Sequence, residues 1–119
     1  MKVNIMKFTY EIILRFANGN PNEQPREGER MQEFFIRTKP VEFANPLQKG
    51  DGLYVRDYYI KVTSINHYAI DEVTREAMGC DGISVADCNQ FGYQDAESAR
   101  EEFEVAKRNL GDIVKKTRP

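Results

Sequence analysis

Residues 6–16, MKFTYEIILRF, alternate between apolar and polar positions with period two. Met6, Phe8, Tyr10, Ile12, Leu14 and Phe16 fall on one side, and Lys7, Thr9, Glu11, Ile13 and Arg15 on the other. Successive side chains of a strand point to opposite faces, so this run predicts a half-buried strand. Val3 and Ile5 are in the opposite phase, which predicts a bulge or an irregular start. MQEFFIRTK, residues 31–39, predicts a second strand with Phe34 and Ile36 inward and Phe35 outward. Pro40 ends or kinks it, because proline cannot donate to a ladder. Val41 to Phe43 reads as a short extended piece, and Pro46 with Gly50-Asp51-Gly52 as a turn.

LYV, residues 53–55, and YYIKVTSI, residues 58–65, predict a hairpin across Arg56-Asp57, or one kinked strand, since neither turn residue is glycine. Tyr58, Ile60 and Val62 are expected inward, and Tyr59, Lys61 and Thr63 outward. The phase slips near Ser64, because Ile65 is again apolar. Residues 66–94 carry the weakest pattern. VTREAM, 73–78, fits a strand or a single helical turn, and GISVADC, 82–88, a fifth strand, followed by a loop with Phe91 and Tyr93.

Residues 95–116 predict an amphipathic helix. Asp95 is a good N-cap, acids gather near its start and bases near its end, in the order the helix dipole favours. Glu104 and Arg108 make a favourable pair four residues apart. Ala99, Phe103, Ala106, Leu110 and Ile113 form one apolar stripe; Gly111 is expected to end or loosen the helix. Strands followed by a helix, rather than alternating with helices, predict an α+β domain spanning 1–119. Its expected architecture is a bent antiparallel sheet, or a partly open small β-barrel, of about five strands with the C-terminal helix packed on it.

The loop at 17–30, ANGNPNEQPREGER, is long and polar for a chain of 119 residues. Loops of that length are often functional, and Arg26 and Arg30 would be its contacts. Charge is uneven. Residues 1–67 carry ten Lys/Arg and eight Asp/Glu; residues 68–104 carry two bases against ten acids; residues 105–119 carry five bases and one acid. The net charge of −2 gives no general basic footprint, while the acidic middle suggests a face for a basic partner, with Glu97, Glu101 and Glu104 as its residues. No apolar run reaches the roughly 20 residues that span a bilayer, and MKVNIMKFTY lacks the apolar core of a secretory signal. The expectation is a cytoplasmic protein that does not enter membranes.

Little in the chain reads as catalysis. Two cysteines and one histidine cannot complete an all-Cys/His zinc site, and Cys80 and Cys88 read as reduced, half-buried thiols. His67, with Asp71 and Glu72 just downstream, holds the minimum for a base and its orienter, but fits a strand end better. KGDG and GCDG lack phosphate-loop spacing. No catalytic residue, metal or cofactor is therefore assigned. The leading expectation is a non-enzymatic protein-binding module, an inhibitor or adaptor of the kind mobile elements such as phages encode. Outward Tyr54, Arg56, Tyr59 and Lys61 are its contact residues, because Tyr and Arg are enriched at binding hot spots. Two alternatives stand beside it. One is single-stranded nucleic-acid binding by the same aromatic and basic face, with Arg37 and Lys39 added. The other is a small-molecule pocket between sheet and helix with His67 at its mouth. Partner identity and oligomeric state are not legible.

Overall fold

The computed structural model describes residues 7–19, 30–68, 71–89 and 91–115. Its strands are β1 (Phe8–Ala17), β2 (Glu33–Arg37), β3 (Val41–Phe43), β4 (Gly52–Val55), β5 (Tyr58–His67) and β6 (Gly82–Asp87). A short helix, α1 (Glu72–Met78), joins β5 to β6, and α2 (Ala96–Asn109) follows β6. The fold is the expected α+β arrangement: an open, bent sheet with the C-terminal helix packed on it. The strand order is β2-β1-β6-β5-β4, and β3 pairs with β1 beyond β2 on the same side.

One pairing departs from the antiparallel pattern. β6 runs parallel to β1, with Tyr10 opposite Gly82 and Arg15 opposite Asp87. The α1 connection returns the chain antiparallel to β5, and β6 then fills the gap between the hairpin β4–β5 and the strand β1. Segment 73–78, readable as strand or helical turn, is helical. The expected start at Met6, the phase of Val3 and Ile5, and most of the 17–30 loop lie outside the described residues.

β1 is central and its alternation decides the core. Tyr10, Ile12, Leu14 and Phe16 are all buried on one face, joined by Ile36, Ile60, Val62 and Ala86 from the neighbouring strands. The stripe of α2 covers this face: Ala99, Ala106 and Leu110 are buried, and Phe103 and Ile113 pack beside them. Phe103 stacks on Phe34 and meets Phe16 edge-on, with ring centroids 5.5 and 6.0 Å apart. Asp95 caps α2 as expected, accepting a 2.7 Å hydrogen bond from the Ser98 amide.

α2 is shorter than the pattern predicted. Leu110 closes it, and the chain turns through residues 111–113. It then lies along the sheet edge, where Lys39 donates to Ile113 and Lys115 donates to Arg37 through backbone amides, at 2.6 and 2.7 Å. The phase slip near Ser64 is a β-bulge between Val62 and Ser64. Thr63 Oγ1 donates to the Val85 carbonyl and Ser84 Oγ to the Ser64 carbonyl, both at 3.0 Å, so side chains occupy acceptors at the irregularity. Gly82 is where Tyr10 and His67 both approach. A Cβ there would fall 2.5 Å from the Asn66 carbonyl and 2.9 Å from the Tyr10 ring, so only glycine fits.

Candidate interaction face

The sheet has two faces, and α2 covers one. Across the other, register places Phe35 (β2), Arg15 (β1), Asp87 (β6), Lys61 (β5) and Gly52 (β4) in one row. Strands lie about 4.8 Å apart, so this row is about 19 Å long. Tyr59 and Tyr54, one pleat from Lys61 and Gly52, stand on the same face and meet edge-on at 5.3 Å. Phe35 is 48% exposed, Tyr54 68% and Tyr59 48%. The face is therefore aromatic at both lateral edges and charged in the middle.

Arg15 and Asp87, at the centre of the row, are bound to one another. Arg15 donates to Asp87 at 3.0 Å and to Glu33 at 2.8 Å, with the side chains of Arg15 and Asp87 only 11% and 5% exposed. Burial works against the guanidinium charge, but the two carboxylates outweigh it and hold Arg15 protonated more firmly than a free arginine. Two rows away, buried Glu11 accepts from Lys115 Nζ at 2.6 Å and from Arg37 Nε at 2.9 Å. Burial pushes its carboxyl up, and Lys115 and Arg37 more than reverse this, leaving it below the ordinary glutamate range.

That depression fixes a pH dependence. A carboxyl with a lowered folded-state pKa contributes stability above its unfolded value, near 4.5, and loses it as pH falls through the folded value. Asp71, Asp95 and Asp112 shift in the same direction, so a substitution is needed to isolate Glu11. Glu11→Gln is expected to melt below the wild type at pH 7, with the gap closing below about pH 4. Thermal unfolding of both proteins from pH 7 to pH 3 checks this.

Of the residues expected to contact a partner, Tyr54, Tyr59 and Lys61 are brought together on the uncovered face. Arg56 is not free. It sits in the β4–β5 turn with φ 55°, in the left-handed region, and both terminal nitrogens donate to the Asp112 carboxylate beyond α2. Nothing local announces a pairing between residues 56 positions apart. Arg30 is exposed, and its carbonyl accepts from Asn18 Nδ2 at 3.1 Å; Arg26 lies outside the described residues. Glu97, Glu101 and Glu104 are exposed on α2, on the far side of the sheet from the tyrosines. The nine candidates therefore do not form one site. Phe35, absent from that set, stands exposed in the same row as Lys61; its signal was the outward phase between Phe34 and Ile36.

The acidic middle is not one acidic face. Asp71 accepts from the Thr74 amide, Asp81 from the Thr9 amide and hydroxyl, Asp87 from Arg15 and Asp95 from the Ser98 amide. The remaining acids are exposed on two separate helices. His67 ends β5, its Nδ1 3.2 Å from the Tyr10 hydroxyl and its ring edge-on to that phenol. Asp71, the nearest carboxylate in sequence, is bonded to Thr74 instead.

Cys80 and Cys88 are free thiols; burial, then the neighbouring Asp87 charge, pushes Cys88 up to about 12. Among the described residues no three His, Cys, Asp or Glu side chains converge to hold a metal, and no helix is long and apolar enough to cross a membrane. An open groove of about 520 Å³ runs around the β2 edge, between Ile13, Phe35 and Val85 on one side and Phe103 and Lys107 of α2 on the other. His67 is not among its walls. Comparison with protein-family models, curated proteins and solved structures returned no match.

Proposed function

We propose that this chain is a non-catalytic protein-binding module, an inhibitor or adaptor, that engages its partner through the uncovered face of its sheet. One observation carries the reading: Phe35, Tyr54 and Tyr59 are exposed on a face where Arg15 is already paired with Asp87 and Glu33 within the chain. Rigid aromatic side chains supply contact area at low entropic cost and are enriched at hot spots. Internally paired charges add polarity between them without demanding a charged partner.

Nucleic-acid binding fits the same face less well. It draws on cations free to replace counterions at phosphates. Here Arg15, Arg37 and Lys115 are each held by a carboxylate of this chain, and Lys61, in the Arg15 row, makes no ion pair among the described residues.

Affinity capture from extract of the native host tests the proposal. A protein retained by the wild type is expected to fall at least tenfold in recovery with Phe35→Ser plus Tyr59→Ser, and to be unchanged with Glu101→Lys on α2. Retention of a random single-stranded oligonucleotide at low salt, abolished by Tyr59→Ala, would overturn it.

A further inference from the structure

Asn18 follows the last residue of β1 and is buried, 7% exposed. Both ends of its carboxamide are used. Nδ2 donates to the Arg30 carbonyl at 3.1 Å, and Oδ1 accepts from the Gln32 amide at 2.6 Å. These two bonds fasten the entry to β2 onto the end of β1. An aspartate could accept the second bond but not donate the first. The next residue is glycine for a separate reason. Gly19 has φ 86°, in the left-handed region, and a Cβ there would meet only the Met31 methyl, at 4.0 Å. Conformation rather than space therefore calls for glycine. Local structure thus sets an asparagine directly before a glycine, and no other asparagine of the chain precedes one.

We infer that Asn18–Gly19 is a self-modification site that the fold holds latent. The chemistry needs no enzyme and no co-reactant but water. The Gly19 backbone nitrogen, on losing its proton, attacks the side-chain carbonyl carbon of Asn18. A C–N bond forms, the Cγ–Nδ2 bond breaks, and ammonia leaves with the proton. Water then opens the cyclic imide at one carbonyl or the other, giving aspartate or isoaspartate. Nothing is oxidised or reduced. Glycine hinders the attack least, because no side chain crowds its nitrogen.

In the native fold the reacting groups are committed elsewhere. The Gly19 N–H donates to the Tyr93 carbonyl at 3.2 Å, which holds the proton that must leave. Gly92 lies against that nitrogen, a Cβ there falling 2.7 Å from it. The carboxamide is held by Arg30 and Gln32, and the backbone of Asn18 is bridged to Tyr93. Closing the imide ring turns both the backbone and the side chain of Asn18, so these contacts must break first. Reaction therefore runs through local opening of the junction, at the rate of the free chain reduced by the fraction open. Opening reverses; the product does not. The new oxygen at position 18 cannot donate to the Arg30 carbonyl, which sets two acceptors face to face. Isoaspartate also adds an atom to the main chain before Gly19, which displaces it from Tyr93.

Incubation of the purified chain in mildly alkaline buffer, with and without unfolding guanidinium chloride, tests this with no partner present. Peptide mapping by mass spectrometry follows Asn18, with isoaspartate read separately. Conversion is expected to be at least about tenfold slower in the folded protein than in denaturant. Gln32→Pro removes the amide that holds Oδ1; while folded, as a thermal melt reads, it should convert several-fold faster than the wild type. Asn18→Asp, which stands for the product and needs no incubation, should melt several degrees below the wild type. Equal rates with and without denaturant would overturn the inference, as would no conversion at Asn18 in denaturant. So would a folded Gln32→Pro that converts no faster, or an Asn18→Asp that melts with the wild type.

Discussion

Asp87→Ala is expected to destabilise the protein by about 3 kcal/mol, against at most about 1 kcal/mol for Lys7→Ala. Both remove one member of an ion pair; the difference lies in burial. Asp87 and Arg15 have side chains 5% and 11% exposed, whereas Lys7 and Glu42 are 58% and 60% exposed. Removing Asp87 leaves a buried guanidinium with one fewer carboxylate, in a strand flanked on both sides. Glu33 still accepts from Arg15, which holds the cost at the lower end of the range for broken buried pairs. Urea unfolding of the three proteins measures this, as a fall in midpoint at constant slope. Equal losses for the two variants would mean that Arg15 reaches solvent.

Phe16→Ala is expected to cost about 3–5 kcal/mol, a large share of the roughly 5–15 kcal/mol that stabilises a domain. Phe16 is fully buried at the seam between β1, α2 and the segment after β6. Its ring stacks on Tyr93, centroids 6.2 Å apart, and meets Phe103 edge-on. Neither neighbour can fill the space it would leave. Tyr93 is tied down by its amide, which donates to Ala17 at 2.8 Å, and by its carbonyl, which accepts from Gly19 at 3.2 Å. Gly92, beside it, has φ 78° and a site where a Cβ would lie 2.1 Å from the Gly19 carbonyl oxygen, so that backbone cannot close inward. Phe91→Ala is the control: Phe91 is 72% exposed, and its loss should change stability by no more than about 0.5 kcal/mol. The same unfolding experiment reads both.

Local periodicity carried most of the fold. The alternation of β1, the outward Tyr59 and Lys61, the slip at Ser64 and the stripe of α2 follow from which neighbours along one element share a face. They were legible because burial on one face imposes the period directly. Partnership between distant elements imposes no period. Nothing in GISVAD says that it lies parallel to β1, and the Arg15–Asp87 pair joins residues 72 positions apart. Glu11 and Arg15 occupy the outward phase as expected, yet Glu11 is buried and Arg15 nearly so. β1 has neighbours on both sides, whose side chains lean over it.

The candidate face was legible in part for the same reason. Tyr54 and Tyr59 follow from strand phase, and so does the outward Phe35. The Arg56–Asp112 pair was not legible, because the turn conformation of Arg56 and its distant partner are set by tertiary structure. The half-buried carboxylate at 81 and the buried one at 87 looked like part of an acidic surface because sequence counts charges without their partners. Two aromatic edges and the Arg15–Asp87 pair between them emerge only when the register of five strands is known.

Hydroxyl-radical labelling of the chain, alone and bound to its captured protein partner, tests most directly whether the uncovered face does the binding. Labelling of Phe35 and Tyr59 should fall several-fold on complex formation, while Val105, exposed on α2, keeps its rate. Unchanged labelling of Phe35 with protection along α2 would contradict the proposal and move the binding surface to the helix.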